Sequence, residues 1–169
     1  MTPGQLATPV VPVPVPQAAQ VGELLQTLTG GAVEVAPGPP VLPGREPALV
    51  AVYVTDDTVT GAVVACELSL AAHAGAALGA VPVTEAEQAL ASGVLSADLS
   101  ENADEVLNVL AAAFNTPGAP ALRLYRVYAV GEPLPAEIGR VLGYVMRRVD
   151  LQLHIVGYGG GRLSVVAVG

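Results

Sequence analysis

The chain contains no lysine: its seven basic residues are all arginine, against 15 acids, for a formal net charge of −8. A nucleic-acid binder needs a basic footprint that displaces counterions from phosphates, and none is available here. A polybasic membrane-surface module is excluded by the same arithmetic. The absence of lysine also removes any Walker-type phosphate loop. A single cysteine, Cys66, cannot form an internal disulfide, and it lies in the apolar run Val63-Val64-Ala65-Cys66, where an inert buried thiol is expected. The two histidines, His73 and His154, have no second ligand at metal spacing, so no metal site is expected. No G-x-S-x-G nucleophile elbow occurs. The N-terminus lacks a basic n-region, and its apolar residues alternate with proline, unlike a signal peptide. The most apolar long stretch, Val59 to Val81, includes Glu67, and one carboxylate at mid-bilayer is costly. The expectation is a cytoplasmic protein that binds neither nucleic acid nor membrane.

What is present is apolar and small. Hydrophobic residues make up 52% of the 169 positions and the mean hydropathy is +0.57, which excludes disorder along the whole chain. The length fits one domain with a short tail. Ten of the 15 prolines fall in the first 47 residues. The stretch Pro9 to Pro16 alternates Pro with Val, and proline lacks the donor that a sheet requires. Residues 1–16 are therefore expected to be a flexible leader and 17–169 a single domain.

Residues 17–29 space Val21, Leu24, Leu25 and Leu28 as a helix, with Gly30-Gly31 as its stop. A short strand is expected over 32–35, and a Val-rich hairpin over 48–55 and 58–66. Ala-rich residues 68–78 predict a helix ending at Gly79. A further helix is expected from Thr84, whose spacing to Glu87 suits a capping box, to about Leu95. Residues 122–130 read as a strand with Leu122, Leu124, Tyr128 and Val130 on one face, interrupted by Arg126. A short helix over 135–144 and strands over 149–157 and 162–168, joined by a glycine turn, complete the chain. This order is α+β: a largely antiparallel sheet of about six strands covered by helices.

The clearest segment is 98–115, with Asp98 as its expected cap. At 100° per residue, Leu99, Ala103, Val106, Leu107, Leu110, Ala113 and Phe114 fall on one side. Glu101, Asp104, Glu105 and Asn108 form a stripe on the other, at i, i+3, i+4 and i+7. A solvated polar face accounts for such a stripe by itself. Yet Glu101 and Glu105 repel each other, and no arginine occurs between Arg45 and Arg123 to offset them.

Glu105-Val106-Leu107-Asn108 resembles the E-x-x-N signature on the active-site helix of the CheC/CheX chemotaxis phosphatase family. Residues 60–69 and the following helix are similar to that family's strand-to-helix passage. The likeness spans roughly Gln17 to Val130, with a weaker match in the closing strands. It implies a CheX-like domain that acts on the aspartyl phosphate of a phosphorylated response regulator. Glu105 would pair with a lysine of that receiver domain, and Asn108 would orient the attacking water. Glu101 and Asp104 are the candidate docking residues. No cofactor of its own is implied, because the partner would hold the Mg²⁺. Two departures stand out: Leu107 occupies the position before Asn108 where family members often carry glycine, and the first helix offers only Glu23 with Gln26 in place of asparagine. One active site or none is therefore expected. The alternatives are a non-catalytic response-regulator docking module, comparable to flagellar-switch middle domains, and a structural homodimer.

Overall fold

Residues 12–168 are described by a computed structural model. Helix α1 (Ala18–Thr29) is followed by strands β1 (Val33–Pro37), β2 (Ala48–Val54) and β3 (Thr60–Glu67). Helices α2 (Leu68–Leu78), α3 (Val83–Ser92) and α4 (Ala97–Leu110) come next, with a 3₁₀ turn at Ala111–Phe114. Strand β4 (Arg123–Tyr128), helix α5 (Ala136–Leu142) and strands β5 (Arg148–Ile155) and β6 (Gly159–Ala167) close the chain. The α+β class and the order of elements match the sequence reading. All strand pairings are antiparallel, in the order β1-β5-β6-β3-β2-β4. Exchanging the first three strands with the last three returns the same order, so the sheet has an internal pseudo-twofold axis between β3 and β6. The helices that precede its two edge strands, α1 and α4, are counterparts.

Both faces of the sheet are covered. One carries α1, α2 and α4 over a core that includes Leu25, Tyr53, Val64, Leu107, Phe114 and Leu153. The other carries α5 and the 38–47 loop over Val41, Val52, Val63, Ile138 and Leu142. Central strands β2 and β3 are sandwiched between these cores, so they read as continuous apolar runs without alternation.

Of the glycines in the last hairpin, only Gly157 lies in its turn. The reversal is Val156-Gly157-Tyr158, with Gly157 at φ +87°, and Gly159-Gly160-Gly161 belong to β6. Their smallness serves the approach of α2. A Cβ on Gly161 would lie 2.4 Å from the backbone nitrogen of Leu70, and one on Gly159 would lie 2.6 Å from His73 Nε2. Ser69 Oγ donates to the Gly160 carbonyl at this crossing, and His73 Nδ1 lies 3.2 Å from the same oxygen. His73 is accordingly a buried packing residue, whereas His154 is exposed.

Strand β4 also departs from simple alternation. Val52 pairs with Arg126 and Tyr53 with Leu124, which leaves Tyr125 as an extra, bulged residue. The bulge exchanges the faces. Leu124 and Val127 pack toward the helices, while Tyr128 joins the opposite core with the Arg126 guanidinium 4.2 Å above its ring. Arg126 therefore interrupts no apolar face.

Two further boundaries move. Helix α3 starts at Val83 with Pro82 at the cap, so Thr84 lies inside it and makes no capping box. Ala80, in the left-handed region at φ +51°, and the bond from Val81 N–H to the Ala76 carbonyl set that earlier entry. The leader expectation fails for residues 12–16: Val13 is 5% exposed within the main core, and Arg147 donates to its carbonyl. A valine between prolines still has a side chain to bury. The leader assignment for residues 1–11 lies outside the described residues.

The 38–47 loop is held by two polar clusters. Arg162 bonds Glu67 at 2.8 Å, Glu46 and the Pro40 carbonyl. Ser164 accepts from Val41 N–H at 2.8 Å and donates to Asp150 at 2.6 Å, and Arg148 makes two bonds to the same carboxylate. Burial alone would raise the pKa of Asp150, but the hydrogen bonds from Arg148 and Ser164 and the arginine's charge outweigh it and hold the carboxyl below its ordinary range. A carboxylate depressed by folding contributes stability above its unfolded pKa of about 3.9, lost as pH falls through the lower folded value. We expect Asp150→Asn to be less stable than wild type at pH 7 and to lose less on acidification below about pH 4. Urea unfolding from pH 7 to pH 2 measures both.

Gly161→Ala tests the close crossing. Backbone atoms of α2 cannot rotate away as a flexible side chain would, so we expect a loss of about 1–3 kcal/mol. Gly31→Ala, where an added Cβ meets nothing within 4 Å, serves as the control.

Candidate functional site

Helix α4 carries every site residue expected from the sequence. Its cap is Ser96 rather than Asp98: Ser96 Oγ accepts from Leu99 N–H at 3.2 Å, and Asp98 falls in the first turn, where the helix dipole favours an acid. The buried side consists of Leu99, Ala103, Val106, Leu107 and Leu110. Glu101, Asp104, Glu105 and Asn108 are all exposed on the other side. The structure thus brings the four together as one stripe.

Three contacts fix this helix. A Cβ added to Gly75 of α2 would lie 3.0 Å from the Leu99 carbonyl, so the two helices cross closely there. Asn102 donates from Nδ2 to the Gly75 carbonyl at 3.0 Å beside that crossing. At the other end, Ala111 N–H turns to the Asn108 carbonyl as the helix tightens to 3₁₀. The Leu107 carbonyl instead accepts from the buried Tyr53 hydroxyl at 2.5 Å. The regular helix therefore ends at Leu110 and not at Asn115. Tyr53 also packs on Phe114, with ring centroids 5.3 Å apart. Leu107 is 1% exposed, so the leucine before Asn108 is a core residue and does not stand on the outer face.

Among the described residues, neither Glu105 nor Asn108 makes a side-chain hydrogen bond, and none of the four ion pairs involves the stripe. Asp104 differs from its neighbours. Partial burial raises its carboxyl pKa above the ordinary value. It borders a cleft of ≈ 220 Å³ between α4, the link from α3 and strand β4. A larger groove of ≈ 510 Å³ between α1 and the end of α4 is lined by Glu23, Leu24, Leu28, Val109 and Ala113, and neither Glu105 nor Asn108 borders it. The Asp104 cleft and the roles of Tyr53 and Asn102 had no signal in the sequence, because each depends on contacts between distant segments.

Two chemistries find no support in this arrangement. Burial pushes the Cys66 thiol up to about 12, with the Glu67 charge adding to the shift, so no thiolate forms near neutral pH. Among the described residues no group of three or more His, Cys, Asp or Glu is placed to hold a metal ion. No described helix is long and apolar enough to cross a membrane.

No family model and no curated protein matches the chain. Solved structures do match its fold. The FliM–SpeE complex from H. pylori aligns with TM-score 0.61 and 11% identity, over 89% of this chain and 80% of that one. The FliG–FliM complex from H. pylori gives 0.53 and 11%, over 89% and 85%. FliY from Thermotoga maritima gives 0.51 and 9%, over 88% and 82%. The chain has the fold of the FliM and FliY flagellar-switch middle domains, which is also the CheC/CheX-like fold.

Tyr53→Phe isolates one of the contacts that fix α4. It removes the hydroxyl without opening a large void, so we expect a loss of about 0.5–1.5 kcal/mol in denaturant unfolding. Amide exchange at Leu110 and Ala111 should quicken more than exchange in β3.

Proposed function

We propose that this domain is a protein-docking module of the flagellar-switch type, which presents the α4 stripe to a protein partner. The observation that carries this reading is the shared fold over about nine-tenths of the chain with FliM and FliY domains, two of them solved in complexes with FliG and SpeE. The stripe suits docking. Its carboxylates stand on a rigid helix, they have no cationic partner among the described ion pairs, and the chain's charge of −8 favours a basic contact on the other protein. The natural surroundings for such a partner are cytoplasmic.

A second reading is favoured by one specific feature, the exposed Glu105-x-x-Asn108 pair one helical turn apart. In it the partner is a phosphorylated receiver domain. Glu105 pairs with the receiver's lysine and fixes the docked orientation. The Asn108 amide accepts from and donates to the attacking water and holds it in line with the aspartyl phosphate. Charge neutralisation at the phosphoryl oxygens would come from the Mg²⁺ that such a receiver holds. Positioning and electrostatics carry such a transfer, so the chain contributes no nucleophile.

One experiment separates the two. Candidate receiver domains and a FliG-type domain are presented to wild type, Glu105→Ala and Asn108→Ala, and both complex formation and phosphate release are followed. On the docking reading, wild type binds a candidate but leaves receiver dephosphorylation at its intrinsic rate. Glu105→Ala then weakens the complex roughly tenfold, on the scale of one charge-assisted hydrogen bond. Acceleration by wild type that Asn108→Ala abolishes with binding intact transfers the assignment to the phosphatase reading. Binding to no candidate overturns both.

A further inference from the structure

The cleft beside Asp104 has a definite chemical character. Its walls are Leu49, Leu95, Val127 and Val130, and Val94, 68% exposed, stands at its rim. Two polar side chains open onto it, Ser100 and Asp104, one helical turn apart on α4. It lies beside the stripe of Glu101, Glu105 and Asn108 without including any of them.

A carboxylate against an apolar wall is an unfavourable arrangement unless something compensates it. Among the described residues no ion pair or side-chain hydrogen bond compensates it. The four ion pairs among the described residues engage Arg126, Arg148 and Arg162, and none reaches Asp104. The raised carboxyl pKa is the expected sign of a charge partly stripped of water without a cation in exchange. An apolar occupant would worsen that loss by removing the remaining water from an unpaired charge. An anion would meet Asp104 and the neighbouring acids. The occupant that satisfies both walls and carboxylate has a long apolar stem and a cationic tip. Lysine and arginine side chains have that form, and they bury their methylenes while keeping the charged head polar-bound.

We propose that this cleft receives a lysine or arginine side chain of a protein partner, with the stem along Leu95, Val127 and Val130 and the charged head on Asp104. The proposal rests on the docking reading and names the chemistry of the contact. Ser100 Oγ offers a second acceptor for the same head. Glu101 and Glu105 strengthen the field that draws it in, because they flank Asp104 on the same exposed side of the helix. This contact is separate from the E-x-x-N pair, so it would anchor a partner whether or not any phosphate is hydrolysed.

Small probes read the cleft without any partner. The ¹⁵N-labelled chain is titrated with n-butylguanidinium, n-pentylammonium and the uncharged n-pentanol at fixed ionic strength, and amide shifts are followed. Saturable shifts are expected at Leu95, Asp104 and Val127, with the cations binding roughly three- to fivefold tighter than pentanol, the range of a partly solvated ion pair. Asp104→Asn should bring that ratio to about one. Asp98→Asn, on the same helix but outside the cleft, should leave it unchanged. Shifts spread equally over Asp56, Asp98 and Asp104 would mean general counterion attraction and overturn the proposal. An unchanged ratio in Asp104→Asn would also overturn it. The docking reading fails separately: wild type that binds no partner yet keeps the cation preference retains the cleft and loses the docking assignment. A variant that loses the preference but binds a partner at full strength removes the cleft from docking and leaves docking itself standing.

Discussion

Helix α2 is the element against which the helical layer is placed. It carries no acid and no arginine, and residues 70–77 are buried without interruption. A helix that is apolar all round must be covered on every side. Strand β6 lies beneath it, with glycines where side chains would collide with its backbone. Helix α3 covers it through Ala86 and Ala89 against Ala72 and Ala76, and α4 crosses at Gly75. Small residues at each crossing bring backbones close enough for polar contacts that longer side chains would hold apart. The Ser69 bond to Gly160 and the Asn102 bond to Gly75 both depend on this closeness. The orientation of the acidic stripe follows from it, because Gly75 and Asn102 determine how α4 is rotated about its own axis.

Much of this was legible in the sequence because local signals and burial agreed. The boundaries of α2 were readable from a run of small apolar residues between Glu67 and Gly79. The stripe on α4 was readable because Leu99, Ala103, Val106 and Leu107 fix which side is buried, and so where Glu101, Asp104, Glu105 and Asn108 must point. Most of the misses have one physical origin: contacts made by residues far apart in the chain. Gly159 to Gly161 look like a turn until α2 is known to lie on them. Tyr125 looks like an ordinary strand residue until the pairing of Val52 with Arg126 exposes the bulge. Val13 looks like part of an unattached leader until the core beside Arg147 is in view. Capping at Ser96 instead of Asp98 is a smaller case, decided by backbone already extended at Ser96.

The internal pseudo-symmetry sharpens the question of where function lies. Helices α1 and α4 precede equivalent edge strands, and each shows an exposed polar side. They differ in how they are held. Gln17 N–H donates to Gln20 Oε1 at 2.9 Å at the start of α1, and Gly30 stops it in a left-handed conformation. Its packing rests on Val21, Gly22 and Leu25, with Gly22 lying close to Val35 of its own edge strand. Helix α4 adds two side-chain hydrogen bonds to elements remote in sequence, from Asn102 to α2 and from Tyr53 of β2. A contact surface for a partner protein gains from such fixation, since side chains on an element already held lose less freedom on association.

The same asymmetry extends to charge. On α1 the exposed side offers Glu23 with the amides Gln20 and Gln26, whereas α4 offers three carboxylates and an amide in one stripe. Like charges at i and i+4 cost a few tenths of a kcal/mol in an isolated helix. Glu101 and Glu105 retain that cost with no arginine among the described ion pairs to relieve it. Elsewhere the chain does relieve its acids: Arg162 serves Glu46 and Glu67, and Arg148 serves Asp150. Those pairs fasten the 38–47 loop on the opposite side of the sheet, where the requirement is structural. Arg148 and Arg162 thus hold the fold, and on the docking reading proposed above the α4 acids are left for a cation that another protein brings. The two sides of the sheet differ accordingly, one closed by internal ion pairs and the other presenting on α4 carboxylates that none of the described ion pairs engages.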